Sequence, residues 1–147
     1  MKRVLFTLVL SCGFNLFGQT IKFNKVEGGI IEVPVSVNGI GPINFILDTG
    51  ASECSIPIYL FKTLVMTGVV RRDDMLAERT YKLPDGSVSS NSRFIIRELN
   101  VGGVIFKNIS CSINNNPDSP FLLGQNVLKE YKVIKIDNVN GIIKLEK

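Results

Sequence analysis

The segment Asn44-Phe45-Ile46-Leu47-Asp48-Thr49-Gly50-Ala51-Ser52 sets a carboxylate directly behind an apolar run and ahead of Thr, Gly and two small residues. A surface acid needs no such setting. An apolar strand carries Asp48 toward the interior, where its charged form is costly unless neighbouring donors or a shared proton compensate, and such compensation shifts a carboxyl pKa. Gly50 admits the close approach of another backbone, and the hydroxyls of Thr49 and Ser52 are available to hold the loop.

Composition leaves few rivals to a carboxylate. The 147 residues include no His, which removes every Ser/His/Asp or Cys/His arrangement and every zinc site that needs an imidazole. The cysteines, Cys12, Cys54 and Cys111, form no C-x-x-C pair, so a four-thiolate site is out as well. No metal and no cofactor is expected. The formal charge of +4 comes from 17 Lys and Arg against 13 Asp and Glu.

The elements that must position Asp48 begin after the first eighteen residues. Lys2 and Arg3 precede an apolar run from Val4 to Leu10 that continues through Phe14, Leu16 and Phe17 to the small Gly18. That order reads as a secretory signal peptide over 1–18, with a mature domain over 19–147. The run is too short for a transmembrane anchor, and Asn15 and two glycines interrupt it. A variant reading makes Cys12 the lipidated residue of a bacterial lipoprotein, against which stands the apolar run continuing past it. Without the signal 129 residues and a charge of +2 remain, and Arg71-Arg72 is followed by Asp73-Asp74 in what reads as a solvated turn. No basic stripe with interleaved aromatics exists, so nucleic acid is not an expected partner.

The mature chain reads as all-β with little helix. Apolar and β-branched runs predict strands over Ile30 to Val37, Ile43 to Leu47, Phe94 to Leu99, Val104 to Ile109, Lys132 to Ile136 and Ile142 to Leu145. Turn signals lie between them at Asn38-Gly39, Gly41-Pro42, Pro84-Asp85-Gly86, Gly102-Gly103 and Asn140-Gly141. Two short helices are expected, Ile58 to Met66 and Gln125 to Tyr131, and residues 114–120 read as a surface loop.

With that order on the page, Asp48-Thr49-Gly50-Ala51-Ser52 resembles the active-site signature of single-domain, retropepsin-like aspartic proteases, here of a bacterial secreted type. Phe121-Leu122-Leu123-Gly124-Gln125-Asn126-Val127-Leu128 is similar to the second hallmark of that family, two apolar residues and a Gly leading into a short helix. A hairpin with Pro84-Asp85-Gly86 at its tip falls where the family has its flap. The resemblance covers residues 28–147 in order and implies an acid-protease β-barrel lobe. Ser52 departs from the viral pattern, which often has Asp there, and the tip has only Gly86 where viral members are Gly-rich.

Aspartic proteolysis needs two carboxylates sharing one proton, because like charges about 3 Å apart cannot both ionise. One Asp-Thr-Gly occurs in this chain, and a two-lobed enzyme needs about twice its length. The resemblance therefore implies a homodimer in which each protomer supplies one Asp48. It gives Asp48, Thr49 and Gly50 the catalytic roles, and Ala51, Ser52, Leu122, Asp85 and Gly86 contact with a peptide or protein substrate. Tyr81 has two readings, a flap residue over the dyad or, more commonly, packing on a half-buried strand. Family topology brings Cys111 near Cys54; a disulfide closing 56 intervening residues would contribute about 3 to 4 kcal/mol, and two buried free thiols are the equal alternative. The expected function is an exported aspartic endopeptidase, periplasmic or secreted, with membrane attachment only if Cys12 is lipidated. The alternatives are a non-catalytic peptide-binding or dimerisation module on the same fold, and a secreted β-sandwich lectin or adhesin.

Overall fold

A computed structural model describes residues 18–147, so the expected signal segment up to residue 17, Cys12 included, lies outside the described residues. The chain runs β1 (Gln19–Lys22), β2 (Asn24–Lys25), a 3-10 turn (Glu27–Gly29), β3 (Ile31–Val37), β4 (Ile40–Leu47), β5 (Cys54–Pro57) and α1 (Ile58–Met66). A second 3-10 turn (Arg72–Asp74) leads to β6 (Met75–Lys82), β7 (Val88–Val101), β8 (Val104–Asn114), β9 (Leu122–Leu123), α2 (Gln125–Leu128), β10 (Val133–Asp137) and β11 (Ile142–Glu146). No helix among the described residues is long and apolar enough to cross a membrane.

Eight strands form one sheet in the order β2-β3-β4-β9-β5-β8-β7-β6. Pairing of β3 with β7, Val35 opposite Val101 and Val37 opposite Leu99, closes the sheet on itself, and a register shift between Val35 and Val37 in the β3–β4 ladder bends β3 toward that second partner. Alternation does the rest. Val33, Val35 and Val37 point inward and are fully buried, while the residues between them are partly exposed. A smaller sheet, β1-β11-β10, joins the two ends of the described chain, and Ile21, Ile143 and Leu145 face inward from it.

The long hairpin β7–β8 serves both layers. Its inward face switches from Phe94 and Ile96 to Leu99 and Val101 on β7, and from Val104 and Phe106 to Ile109 and Cys111 on β8. Asn108, with φ +54°, sits at the switch on β8. The predicted strands were too short: β7 begins at Val88, six residues before Phe94, over a mostly polar stretch with no buried residue, and runs on to Val101, while β8 continues past Ile109 to Asn114. The loop correspondingly starts one residue later than expected, since Asn114 still pairs with Pro57.

Helix α1 spans the expected residues and buries Leu60 and Leu64 one turn apart. Gly68, at φ +71°, ends it by turning its N–H back to the Val65 carbonyl at 3.0 Å. The second helix is shorter than expected, ending at Leu128. The acidic-basic turn before β6 needs correction. Asp73 is exposed, but Asp74 is buried, and its partner is Arg97 on β7, whose Nε donates to Oδ1 at 2.8 Å and Nη2 to Oδ2 at 2.9 Å. The neighbouring arginine supplies only its backbone, Arg71 N–H to Asp74 Oδ2 at 2.8 Å.

Candidate active site

Asp48 stands one residue past the end of β4, half-buried, and the next two residues, Thr49 and Gly50, are exposed. Two backbone amides hold one of its oxygens: Gly50 N–H donates to Oδ1 at 2.8 Å and Ala51 N–H at 3.2 Å. Among the described residues, Oδ2 has no protein partner. The carboxylate is therefore fixed in direction by the main chain while one oxygen stays available for chemistry.

Strand β9 secures the turn from below. It lies parallel to β4, pairing Ile46 with Leu122 and Leu47 with Leu123, and touches β5 at Ser55. Ile46 N–H donates to the Phe121 carbonyl at 2.8 Å and Asp48 N–H to the Leu123 carbonyl at 3.1 Å. The start of α2 completes the frame, with Gln125 N–H on the Ala51 carbonyl at 2.8 Å and Gln125 Nε2 on the Thr49 carbonyl at 3.0 Å. Only a glycine permits this approach. A Cβ on Gly124 would stand 2.4 Å from both the carbonyl carbon and oxygen of Glu53. Thus Asp48, Thr49, Gly50, Ala51, Ser52 and Leu122 come together in one place, from segments far apart in sequence.

Glu53 was not among the sequence candidates. It is 4% exposed, and its carboxylate takes Arg93 Nε on Oε1 at 2.8 Å, Arg93 Nη2 on Oε2 at 2.9 Å, Ser110 Oγ–H on Oε2 at 3.0 Å and the Tyr81 hydroxyl on Oε1. Burial alone would raise its pKa, but the bonds from Arg93, Tyr81 and Ser110 and the Arg93 charge outweigh that and hold it below the ordinary glutamate value. Tyr81 moves the other way, pushed up to about 12 by burial and by donating to an anion. Asn126 extends the cluster to α2: it accepts Cys54 N–H on Oδ1 at 2.9 Å and donates from Nδ2 to the Ser110 carbonyl at 2.7 Å. The available sequence signal was a Glu one residue ahead of the wholly buried strand β5, where a carboxylate needs a cation.

Asp85 and Gly86 lie elsewhere. They form the exposed tip of the β6–β7 hairpin, closed by Leu83 N–H on the Ser87 carbonyl at 2.8 Å and Gly86 N–H on the Leu83 carbonyl at 2.9 Å, with Gly86 at φ +85°. The Ser87 hydroxyl and amide both donate to Asp85 Oδ1, at 2.6 and 2.9 Å, and lower its pKa. Among the described residues no hydrogen bond joins this tip to the Asp48 turn. Tyr81, on the same hairpin, is half-buried and reaches Glu53, so its ring packs while its hydroxyl has a specific partner.

Cys54 and Cys111 are register partners on β5 and β8, both buried and both free thiols. Burial pushes Cys54 up to about 12 and Cys111 well above the ordinary thiol range, so neither is poised as a nucleophile. No group of three or more metal-ligating side chains occurs among the described residues.

The family model described as "gag-polyprotein putative aspartyl protease" matches residues 33–130, from β3 through the end of α2. The chain belongs to that aspartyl protease family. Its fold is that of a retropepsin-like protein: a crystal structure of a retropepsin-like aspartic protease from Rickettsia conorii superposes with a TM-score of 0.58 at 24% identity, over 86% of this chain and 88% of that one. No curated protein matches the chain. The aspartyl-protease match spans both the Asp48 turn and the β9–α2 segment that frames it.

Proposed function

We propose that this chain is an exported aspartic endopeptidase whose active unit is a homodimer, each protomer giving one Asp48. The observation that carries the reading is the state of Asp48, a carboxylate fixed through one oxygen by two amides in an exposed turn, with no charged partner among the described residues. A second acid is required, and Glu53 cannot serve, because its oxygens are saturated by Arg93, Tyr81 and Ser110. A second copy supplies it most simply.

In that dimer one Asp48 is ionised and takes a proton from a water whose oxygen attacks the scissile carbonyl carbon. Asp48 of the partner subunit is protonated and hydrogen-bonds the carbonyl oxygen. The tetrahedral intermediate passes a proton from the dyad to the amide nitrogen, the C–N bond breaks, and the dyad regains its single shared proton. Thr49, exposed beside the acid, bridges to its symmetry mate, and the Gly50 carbonyl faces substrate. An extended peptide lies between this floor and the hairpin, whose tip region carries the exposed apolar Leu83 and Val88. Ala51, Ser52, Leu122, Asp85 and Gly86 line its path. Residues 1–18 direct export to the periplasm or beyond, with lipidation at Cys12 as the variant.

Assay of a peptide library with wild type and Asp48→Asn tests the reading. We expect acid-favoured cleavage that falls about 10²- to 10⁴-fold in the variant, together with a dimer by sedimentation. Equal activity in the two proteins, or a strict monomer that cleaves, sinks the shared-dyad mechanism. A dimer in which neither protein cleaves points to a binding module.

A further inference from the structure

The hairpin formed by β6 and β7 is held loosely for an element with a positional task. Strand β6 is the outer edge of the eight-stranded sheet and pairs with β7 alone, with a register shift between Leu76 and Arg79 that interrupts even that ladder. Most of β6 is exposed. Its other side-chain bonds stay inside the hairpin: Glu78 accepts from Ser90 and Ser92, and the Arg79 guanidinium lies 5.8 Å from the Tyr81 ring centroid. Among the described residues, the Tyr81 hydroxyl on Glu53 is the one side-chain hydrogen bond from residues 79–91 to an element outside the hairpin.

Glu53 is placed to use that bond. It stands five residues after Asp48, and its backbone is clamped against Gly124 at the head of α2, the helix that holds the Asp48 turn. Its carboxylate gathers donors from three successive strands, Tyr81 of β6, Arg93 of β7 and Ser110 of β8. Tyr81 lies two residues before the hairpin tip begins at Leu83, so a fixed point here sets the height of everything beyond it. A buried ion pair is a poor device for stability alone, since apolar residues of the same volume do as well; here it gives the hairpin a directional anchor on the catalytic floor.

We propose that Glu53 is a positioning residue, which through the Tyr81 hydroxyl and the Arg93 guanidinium tethers the hairpin at a set distance over the Asp48 turn and so tunes the capture of extended peptides. This rests on the proteolytic reading of Asp48 for its kinetic consequence, but not for the tether itself. Ser110 provides the control, because it donates to the same carboxylate from β8, where it pairs with Ile95, and among the described residues its side chain makes no hydrogen bond to residues 79–91.

The experiment compares wild type, Tyr81→Phe and Ser110→Ala by amide hydrogen exchange and by kinetics on the best-cleaved library peptide. Tyr81→Phe keeps the ring and deletes the tether, so exchange over residues 79–90 should quicken about tenfold, and KM should rise about three- to tenfold with kcat held within about twofold. Ser110→Ala should leave both readouts near wild type. Unchanged hairpin exchange in Tyr81→Phe overturns the tether, and so does an equal change in both variants. Faster exchange with KM unmoved overturns the positioning role. If wild type cleaves no peptide, the proteolytic reading fails by itself, and the exchange comparison still upholds or defeats the tether.

Discussion

Two carboxylates on one short stretch, Asp48 and Glu53, are treated in opposite ways. Asp48 is half-exposed and, among the described residues, holds only main-chain amides and keeps one oxygen free of protein partners. Glu53 is almost wholly buried and has every lone-pair direction filled by Arg93, Tyr81 and Ser110. Burial alone would point to Glu53 as the reactive acid, since perturbed carboxyls mark functional sites. Occupancy points the other way. A carboxylate bound by a guanidinium is stabilised as an inert anion, whereas one fixed by amides and left without a cation can share a proton.

The comparison breaks most visibly at Arg93. Replacing it with Met leaves Glu53 buried without its cation, and the expected loss is about 3 kcal/mol of folding stability, read from urea denaturation. Adding Glu53→Gln to that variant should recover part of the loss, because an amide is cheaper to bury than a charge. A cost below about 1 kcal/mol would place Glu53 among ordinary surface ion pairs. Gly124→Ala comes next. Its Cβ collides with the Glu53 main chain at 2.4 Å, so α2 must shift, at about 1 to 3 kcal/mol. Because the same helix holds the Thr49 and Ala51 carbonyls, cleavage should fall further than the lost stability explains, and an unchanged specific activity of the folded fraction would show the two regions to be independent.

The two carboxylates also differed in how legible they were. Asp48 stood out because one strand, one turn and their residue types are contiguous, so local pattern sufficed. The frame around it was half visible: Leu122, Leu123, Gly124 and Gln125 are contiguous too, and the apolar pair followed by Gly marked them. Glu53 was missed because its meaning depends on Arg93, Tyr81 and Ser110, far apart in sequence and brought together only by the closing of the sheet. Asp74 was misread for the same reason. Its adjacent arginines suggested a solvated turn, while its true partner, Arg97, arrives from β7. The edge strand β6 gave little apolar signal because most of it is exposed, and the terminal strand β1 is four residues long, too short for a period to register.

Acid should weaken the Glu53 cluster in a graded way. The folded-state pKa of Glu53 lies below its unfolded value, so the stability it adds is complete above about 4.5 and drains as pH falls through the folded value. Thermal melts should therefore decline below pH 4.5 in wild type and decline less steeply in Glu53→Gln, whose melting point at neutral pH starts lower. Parallel curves for the two proteins would mean that other carboxylates carry the acid sensitivity.

The smallest effect is expected where a glutamate has the same kind of partner without the burial. Glu98 and Lys107 face each other across β7 and β8 and form a salt bridge, yet their side chains are 46% and 62% exposed. Water already solvates both charges, so their attraction gains little over separation and is screened by salt. Glu98→Gln should change stability by no more than about 0.5 kcal/mol, and 1 M salt should erase even that. Set beside Arg93→Met, this variant isolates the part that burial plays: a cost here as large as at Glu53 would mean that pairing chemistry alone decides the worth of a carboxylate in this fold. It would also remove the reason for reading the Glu53 cluster as a special anchor, since any glutamate on the hairpin could then do the same.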